Sequence, residues 1–268
     1  MTSVSYRNFS GTAAENYQRY FVPAIATPVS ATLLSAADLQ PGERVVDVAC
    51  GTGVIARLAA TQVGPTGSVI GVDLAPDMID VASRNPNPGV NIDWRVADAI
   101  ELPLDDGSCD VALCQMGLMF IADKVAALAE MRRVLAPGGR VVINTPGRIQ
   151  PPLELMAEAL GDHISPDLGP FVHAVFSMHD PDAVSALLNN AGFDGVEAIE
   201  TTATLDLPGP ADFLWQYINL TPMGQFVEPA PDEAKQALEQ QVVDTWQPFV
   251  VDGRTPVDQP VIVATARS

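Results

Sequence analysis

The sequence predicts an α/β domain built on a mostly parallel, twisted sheet with helices on both faces. The first observation behind this is Val45-Val46-Asp47-Val48-Ala49-Cys50-Gly51-Thr52-Gly53, followed by Val54-Ile55-Ala56-Arg57-Leu58-Ala59. It reads as a strand buried on both faces, a tight glycine turn and an amphipathic helix. The second is a pair of further apolar runs, Ser68 to Asp73 and Asn91 to Ala97, closed by Asp73 and by Asp98. The third is their rhythm: Asp47, Asp73 and Asp98 fall 26 (73 − 47) and 25 (98 − 73) residues apart. A repeated β-α unit of that length puts the three acids along one edge of the sheet, in the crevice where open α/β sheets bind ligands.

The glycine turn alone leaves several nucleotide-like ligands open, and Gly51-x-Gly53-x-x-Ala56 even matches the dinucleotide fingerprint. Asp47 separates the readings. A carboxylate there would face a bound pyrophosphate, and like charges in a partly desolvated crevice repel. It suits a ligand carrying an ammonium group and a positive centre, and S-adenosylmethionine has both. The plainer alternative is an Asp that only caps the loop. Asp73 lies 20 residues after Gly53 (73 − 53), where a carboxylate accepts hydrogen bonds from ribose hydroxyls. Asp98 would meet the adenine amine.

Composition narrows the partners. The chain has 268 residues, 47% hydrophobic and 18% charged, so it is globular. Its net charge of −19 argues against a nucleic-acid backbone or an anionic membrane surface as the main partner. Cys50, Cys109 and Cys114 form no Cys-x-x-Cys pair and read as reduced thiols. Met1 to Ser10 is polar, without an apolar signal core. The longest apolar stretch, Val111 to Ala122, is interrupted by Gln115, so no bilayer span and a soluble, cytoplasmic protein are expected.

Taken in order, Thr12-Ala13-Ala14-Glu15 is a capping box that opens a helix near Ala13. Tyr17, Tyr20 and Phe21 form an aromatic face, which either packs on the core or lids the cofactor with the Tyr17 and Tyr20 hydroxyls. A second helix is expected from about Val29 to Ala37. The first strand and glycine turn follow, then the second strand. Pro76 suits the first turn of a helix over Asp77 to Ser83, broken by Asn85-Pro86-Asn87-Pro88-Gly89. After the third strand come the turn Asp105 to Ser108 and a fourth strand, Cys109 to Cys114. Val125, Leu128, Met131 and Leu135 mark a helix over Ala122 to Leu135, stopped by Pro137-Gly138-Gly139 before a fifth strand at Arg140 to Asn144.

Asp47-x-x-Cys50-Gly51-Thr52-Gly53, Asp73, Asp98 and Arg133-Val134-Leu135-Ala136-Pro137-Gly138-Gly139, in this order, resemble the class I S-adenosylmethionine-dependent methyltransferases. Within them the chain is similar to the broad group related to the ubiquinone/menaquinone-biosynthesis enzymes. The resemblance is strong from Pro41 to about Pro146. Two departures stand out: Ala49 replaces a glycine common in the family, and Met119-Phe120 aligns where the quinone enzymes carry Arg-Asn. The second puts quinone chemistry in doubt and makes the pocket wall more apolar.

The resemblance implies a three-layer, Rossmann-like seven-stranded sheet whose last strand is antiparallel. It implies that Asp47 and the Ala49-to-Gly53 turn, through the Gly51 and Gly53 backbone, hold the methionine end. Leu74 and Met78 would lie against adenine, with Asp98 and the Ala99 N–H reading its edge, and Gln115 and Met116 would close the site beside the sulfonium. The remaining sequence can carry this ending: a helix from Asp180-Pro181 to Gly192, and strands Val196 to Leu207 and Pro260 to Ala266. The whole chain, 1–268, reads as one domain with cap elements at 1–38, 147–179 and 208–259. Helices are expected near Leu153–Leu160 and Asp232–Trp246. His173, between Phe171 and Phe176, is the candidate general base, against the ordinary reading of an exposed lid histidine; no metal-ligand spacing is present.

The expected activity is transfer of a methyl group from S-adenosylmethionine to O, N or C of a small apolar or aromatic molecule. A nucleotide-cofactor (NAD-type) oxidoreductase and a cofactor-binding protein without activity stay open as alternatives.

Overall fold

The computed structural model describes residues 12–87, 89 and 91–268. The reading of Met1 to Ser10, and Pro88 within the expected chain break, lie outside the described residues. Seven strands form one sheet: β1 Arg44–Val48, β2 Ser68–Asp73, β3 Ile92–Val96, β4 Cys109–Gln115, β5 Leu135–Pro146, β6 Asp194–Leu207 and β7 Thr255–Arg267. Their order is β3-β2-β1-β4-β5-β7-β6, and β7 alone runs antiparallel to its neighbours. The order reverses between β1 and β4, so the glycine turn after β1 opens at the topological switch point.

Alternate residues of each strand send apolar side chains to opposite faces. Val45, Val69, Val111, Leu113 and Val142 pack with helix Val54–Val63 and the N-terminal helix. Val46, Val48, Ala112, Cys114, Val141 and Ile143 pack on the other face with helices Lys124–Val134 and Pro181–Asn190. The insertions add helices Pro151–His163, Leu168–Val175, Pro210–Asn219, Gly224–Val227 and Asp232–Trp246 to the first face. Helix Leu168–Val175 was not expected. β5 starts at Leu135, earlier than expected, because Leu135 pairs with Cys109 and the Pro137-Gly138-Gly139 stretch bulges before pairing resumes at Arg140 and Val111.

Two differences from expectation shape the site. The two N-terminal helices are one, Ala13–Ala37, and Thr12 makes no side-chain cap. Over Tyr17–Ala26 it winds as a π-helix, around Pro23. Proline lacks the N–H of a regular turn, and a locally wider turn spares the helix a break. This helix is long and apolar enough to cross a membrane by length and composition, which the sequence reading did not single out. Here Val29, Leu33 and Ala37 are buried against the sheet. Arg140 fastens its end, donating from Nε to the Ala37 carbonyl at 2.7 Å and pairing with Glu43 at 2.7 Å.

Strands β6 and β7 are also longer than expected. Pro146, the last residue of β5, pairs with Val261, whereas β7 starts at Thr255, so six residues (261 − 255) project beyond the edge of the sheet. At ~3.4 Å per residue this arm reaches roughly 20 Å past β5.

Candidate functional site

A cavity of about 210 Å³ opens at the carboxyl edge of β1, β2 and β4. A structural water needs only ~10–15 Å³ by this measure, so the space is far larger than a packing fault. From the glycine turn and the loops after β2 and β3 come Ala49, Gly51, Asp73, Leu74, Met78, Asp98 and Ala99. Gln115 and Met116 come from the end of β4. The opposite wall is apolar and aromatic, with Phe21, Phe120, Phe176, Phe213 and Tyr217 among its residues. No Lys, Arg or His lines the cavity among the described residues.

The glycine turn is built from left-handed backbone. Gly51 has φ +54° and Gly53 φ +85°, and Ala49 takes φ +57° despite its methyl group. That conformation costs a non-glycine residue roughly 1–2 kcal/mol, which accounts for the glycine common in the family at this place. Gly117 makes room for the Ala49 methyl: a Cβ on Gly117 would stand 2.6 Å from that of Ala49.

The three acids share an edge but not a level. Asp47 pairs in register with Gly71, two residues before Asp73, and Asp73 pairs with Val96, two residues before Asp98. Equal sequence spacing does not fix strand register, and each step of two residues shifts the acid by roughly 6.6 Å along the strands. Asp73 and Asp98 therefore reach the cavity, while Asp47 lies in its floor, 1% exposed and outside the lining. Its Oδ2 accepts the N–H of Ala56 at 2.9 Å, at the start of helix Val54–Val63. In this structure Asp47 accepts a hydrogen bond at the helix N-terminus and is not among the residues that line the cavity. Burial pushes its carboxyl up to about 8; the Ala56 N–H opposes the rise, Asp73 adds to it and Arg57 opposes it.

Asp73 accepts the Gly51 N–H at 2.7 Å and the Ala75 N–H at 2.9 Å, one on each oxygen. The carboxylate keeps acceptor capacity for a ligand hydroxyl. Burial raises its pKa, and the N–H groups of Ala75, Gly51 and Leu74 hold it down.

Tyr17, Phe21, Ile25 and Val29 line the cavity as one stripe of the N-terminal helix. Residues four apart drift by about 40° per step in a regular α-helix, and the wider π turn reduces that drift. The Tyr17 ring stacks on Phe21 with centroids 4.6 Å apart, and its hydroxyl lies over Gly51. Burial, then Asp73, Asp47 and Cys50, raise its pKa. Tyr20, three residues on, is turned off the stripe into a small separate cleft with Phe213 and Gln216. Gln115 donates to the Ala26 carbonyl at 3.1 Å, where the π turn ends, and Asn144 reaches Thr32 Oγ1 at 3.2 Å. The Asn144 side chain and carbonyl also accept the N–H of Met116, which sits at φ +49°. Asn144, read only as a strand end, thus ties β4 and β5 to the N-terminal helix.

Two other expected site residues stay outside the cavity. Gly53 is the residue before helix Val54–Val63, and the space of its missing Cβ is filled by the Trp94 ring. His173 sits on the outer side of helix Leu168–Val175, opposite Leu168, Phe171 and Val172, with Nε2 3.1 Å from Glu154. Sequence reading also missed the far wall. Leu205 and Gln259 enter it from the β6–β7 arm and Val261 from the base of that arm, and only long-range pairing places them there.

Residues 46–143 match a family model described as a methyltransferase domain. Over 183 residues the chain is 34% identical to the ubiquinone/menaquinone biosynthesis C-methyltransferase UbiE of Cupriavidus taiwanensis, covering 63% of this chain and 75% of that one. Among solved structures, the YcgJ protein from Bacillus subtilis has a TM-score of 0.59 at 18% identity, over 89% of this chain and 97% of its own. A phosphoethanolamine N-methyltransferase 2 of Haemonchus contortus, solved with S-adenosyl-L-methionine, gives 0.61 at 19% identity, over 99% of this chain and 60% of its own. At those identities the structures speak for the fold alone.

Proposed function

This chain belongs to the class I S-adenosylmethionine-dependent methyltransferases, and from that premise we propose that it methylates O, N or C of a small, largely apolar molecule. Its cofactor is S-adenosylmethionine. The observation that carries the substrate reading is a single cavity with two unlike ends. One end offers Asp73 and Asp98 and, among the described residues, no cation, which suits a positively charged, hydroxyl-bearing cofactor and disfavours a pyrophosphate. The other end is apolar and aromatic. Phe120 lines it where the quinone enzymes carry a polar residue, which supports an acceptor other than a quinone precursor.

In this reading Asp73 accepts the ribose hydroxyls, Leu74 and Met78 flank adenine, and Asp98 with the Ala99 N–H reads its edge. Tyr17, Gly51, Gln115 and Met116 close the methionine end; Asp47 and Gly53 act from beneath by fixing the turn. The bound cofactor supplies a methyl group on sulfur, ready for direct displacement by an electron pair of the acceptor. The chain's contribution is to align the two reactants and exclude water, which is worth roughly 7–11 kcal/mol in well-oriented cases. Among the described residues no histidine or lysine lines the acceptor end, so this reading needs no side-chain base and relies on an acceptor that is nucleophilic as bound. We take residues 1–268 as one domain capped by 1–38, 147–179 and 208–259, acting in the cytoplasm, a placement supported by three free, buried cysteines.

The first test is calorimetric titration with S-adenosylhomocysteine and, in parallel, NAD, followed by a screen of acceptors with labelled methyl groups. Micromolar binding of the first ligand alone, with label entering apolar acceptors, is expected. Binding of NAD alone would overturn the reading.

Cofactor affinity should also depend on pH. Asp47 holds a proton below about 8, and the cofactor's positive charges draw its carboxyl toward the ionised form. Binding then releases protons, and affinity for S-adenosylmethionine rises with pH from about 6 to 8, by up to ~10-fold per unit for one coupled group. The same raised pKa means that the cofactor-free fold loses stability as pH rises between the unfolded value near 4 and about 8. Titrations in two buffers of different ionisation enthalpy measure the released proton; affinity independent of pH would refute the coupling.

A further inference from the structure

We propose that Gln259 selects the methyl acceptor by a hydrogen-bond donor, an O–H or N–H group carried on an otherwise apolar molecule. Gln259 sits in the β6–β7 arm, paired across to Ala203, and lines the cavity while only 4% exposed. Its amide nitrogen has two hydrogens, and two carbonyls take them: Arg148 at 3.2 Å and Pro260 at 2.8 Å. Those two acceptors fix which end of the amide is nitrogen, since a flipped amide would set oxygen against both. The Oε1 that remains is buried and has no hydrogen-bond partner among the described residues.

A buried amide oxygen left unpaired is costly, so native structures rarely keep one without a reason. Thr221, 5% exposed and in the same wall, adds a second acceptor, because its hydroxyl donates to the Tyr217 carbonyl at 2.9 Å. Around both lie Leu205, Phe213, Leu220 and Val261, which offer no polar atom from their side chains. The wall thus has lone pairs to fill and no hydrogen to offer from either group. A ligand with a donor satisfies it, while an isostere with that donor blocked leaves the oxygen unpaired. Sites of this design discriminate far more strongly than a missing methylene does.

The inference deepens the methyltransferase reading, and its test keeps the two apart. Binding of S-adenosylhomocysteine is measured first; its absence would count against the cofactor reading and leave the next comparison intact. Matched pairs are then titrated into the same protein: 2-naphthol against 2-methoxynaphthalene, 4-phenylphenol against 4-methoxybiphenyl, and indole against 1-methylindole. The donor-bearing member should bind wild type about tenfold tighter or more. In Gln259→Leu the two members should bind alike, the blocked one no worse than in wild type. Equal binding of the pairs by wild type, a preference that survives in Gln259→Leu, or no binding by any donor-bearing probe would overturn the proposal. If Gln259→Leu fails to fold, Gln259→Met keeps the length of the side chain, and the wild-type ratios decide without either variant.

Discussion

Asp73→Ala should lower the affinity for S-adenosylhomocysteine by two to four powers of ten and leave the sheet folded. Asp73 ends β2 at the switch side of the sheet and is the one expected acid that both lines the cavity and braces the glycine turn. Two ribose hydroxyls donating to a charged acceptor contribute about 1.5–3 kcal/mol each, or ~3–6 kcal/mol together. That sum converts to the stated loss at about 1.4 kcal/mol per factor of ten. The fold itself should change less. Alanine leaves the N–H groups of Gly51 and Ala75 without their acceptor, but it also removes a desolvated carboxylate. Asp73→Asn separates the effects, since its amide can accept one N–H but faces the other with a second donor. Calorimetry of both variants, beside their unfolding midpoints, decides the matter. Affinity within threefold of wild type in a folded Asp73→Ala protein would remove Asp73 from the ribose.

What the sequence made legible was local. The strand, glycine turn and helix of Val45 to Ala59 announced themselves because buried apolar runs and glycine obey rules of a few residues' range. Helix Asp232–Trp246 was placed to the residue for the same reason. The unread parts depend on partners distant in the chain. The stagger of Asp47, Asp73 and Asp98 is set by strand register, which turn lengths leave free. The β6–β7 arm exists because Thr255 to Pro260 finds Thr202 to Leu207, 48 residues away at the tip (255 − 207) and 58 at the base (260 − 202). Fusion of the N-terminal helices was hidden by Pro23, a residue that normally ends a helix and here sits in a π turn. The aromatic residues of the insertions divide, Trp246 going to the core and Tyr217 to the cavity wall, a choice made by tertiary packing.

Gly53→Ala should cost about 2–5 kcal/mol of stability, about 1–3 kcal/mol of it through Trp94. The resemblance implies that the Gly53 backbone helps hold the cofactor; in the structure the space of its missing Cβ is taken by the Trp94 ring. Asp47, Gly71 and Trp94 form one row across β1, β2 and β3, and the indole lies over Gly71 and under Gly53. A Cβ on Gly53 would stand 2.8 Å from Trp94 Cζ3, with another ring atom closer still. Overpacking of this kind costs about 1–3 kcal/mol, and an alanine at φ +85° adds about 1–2 kcal/mol. The two parts can be separated, because Trp94→Ala removes the clash and leaves the backbone strain. In that background Gly53→Ala should cost only the strain, a coupling of about 1–3 kcal/mol by urea unfolding of the four proteins. Additive costs would mean that the ring moves aside freely and does not support the turn. Coupling of the stated size makes Trp94 the floor of the glycine turn. The short distance from Gly51 N–H to Asp73 then depends on a side chain that never touches the ligand.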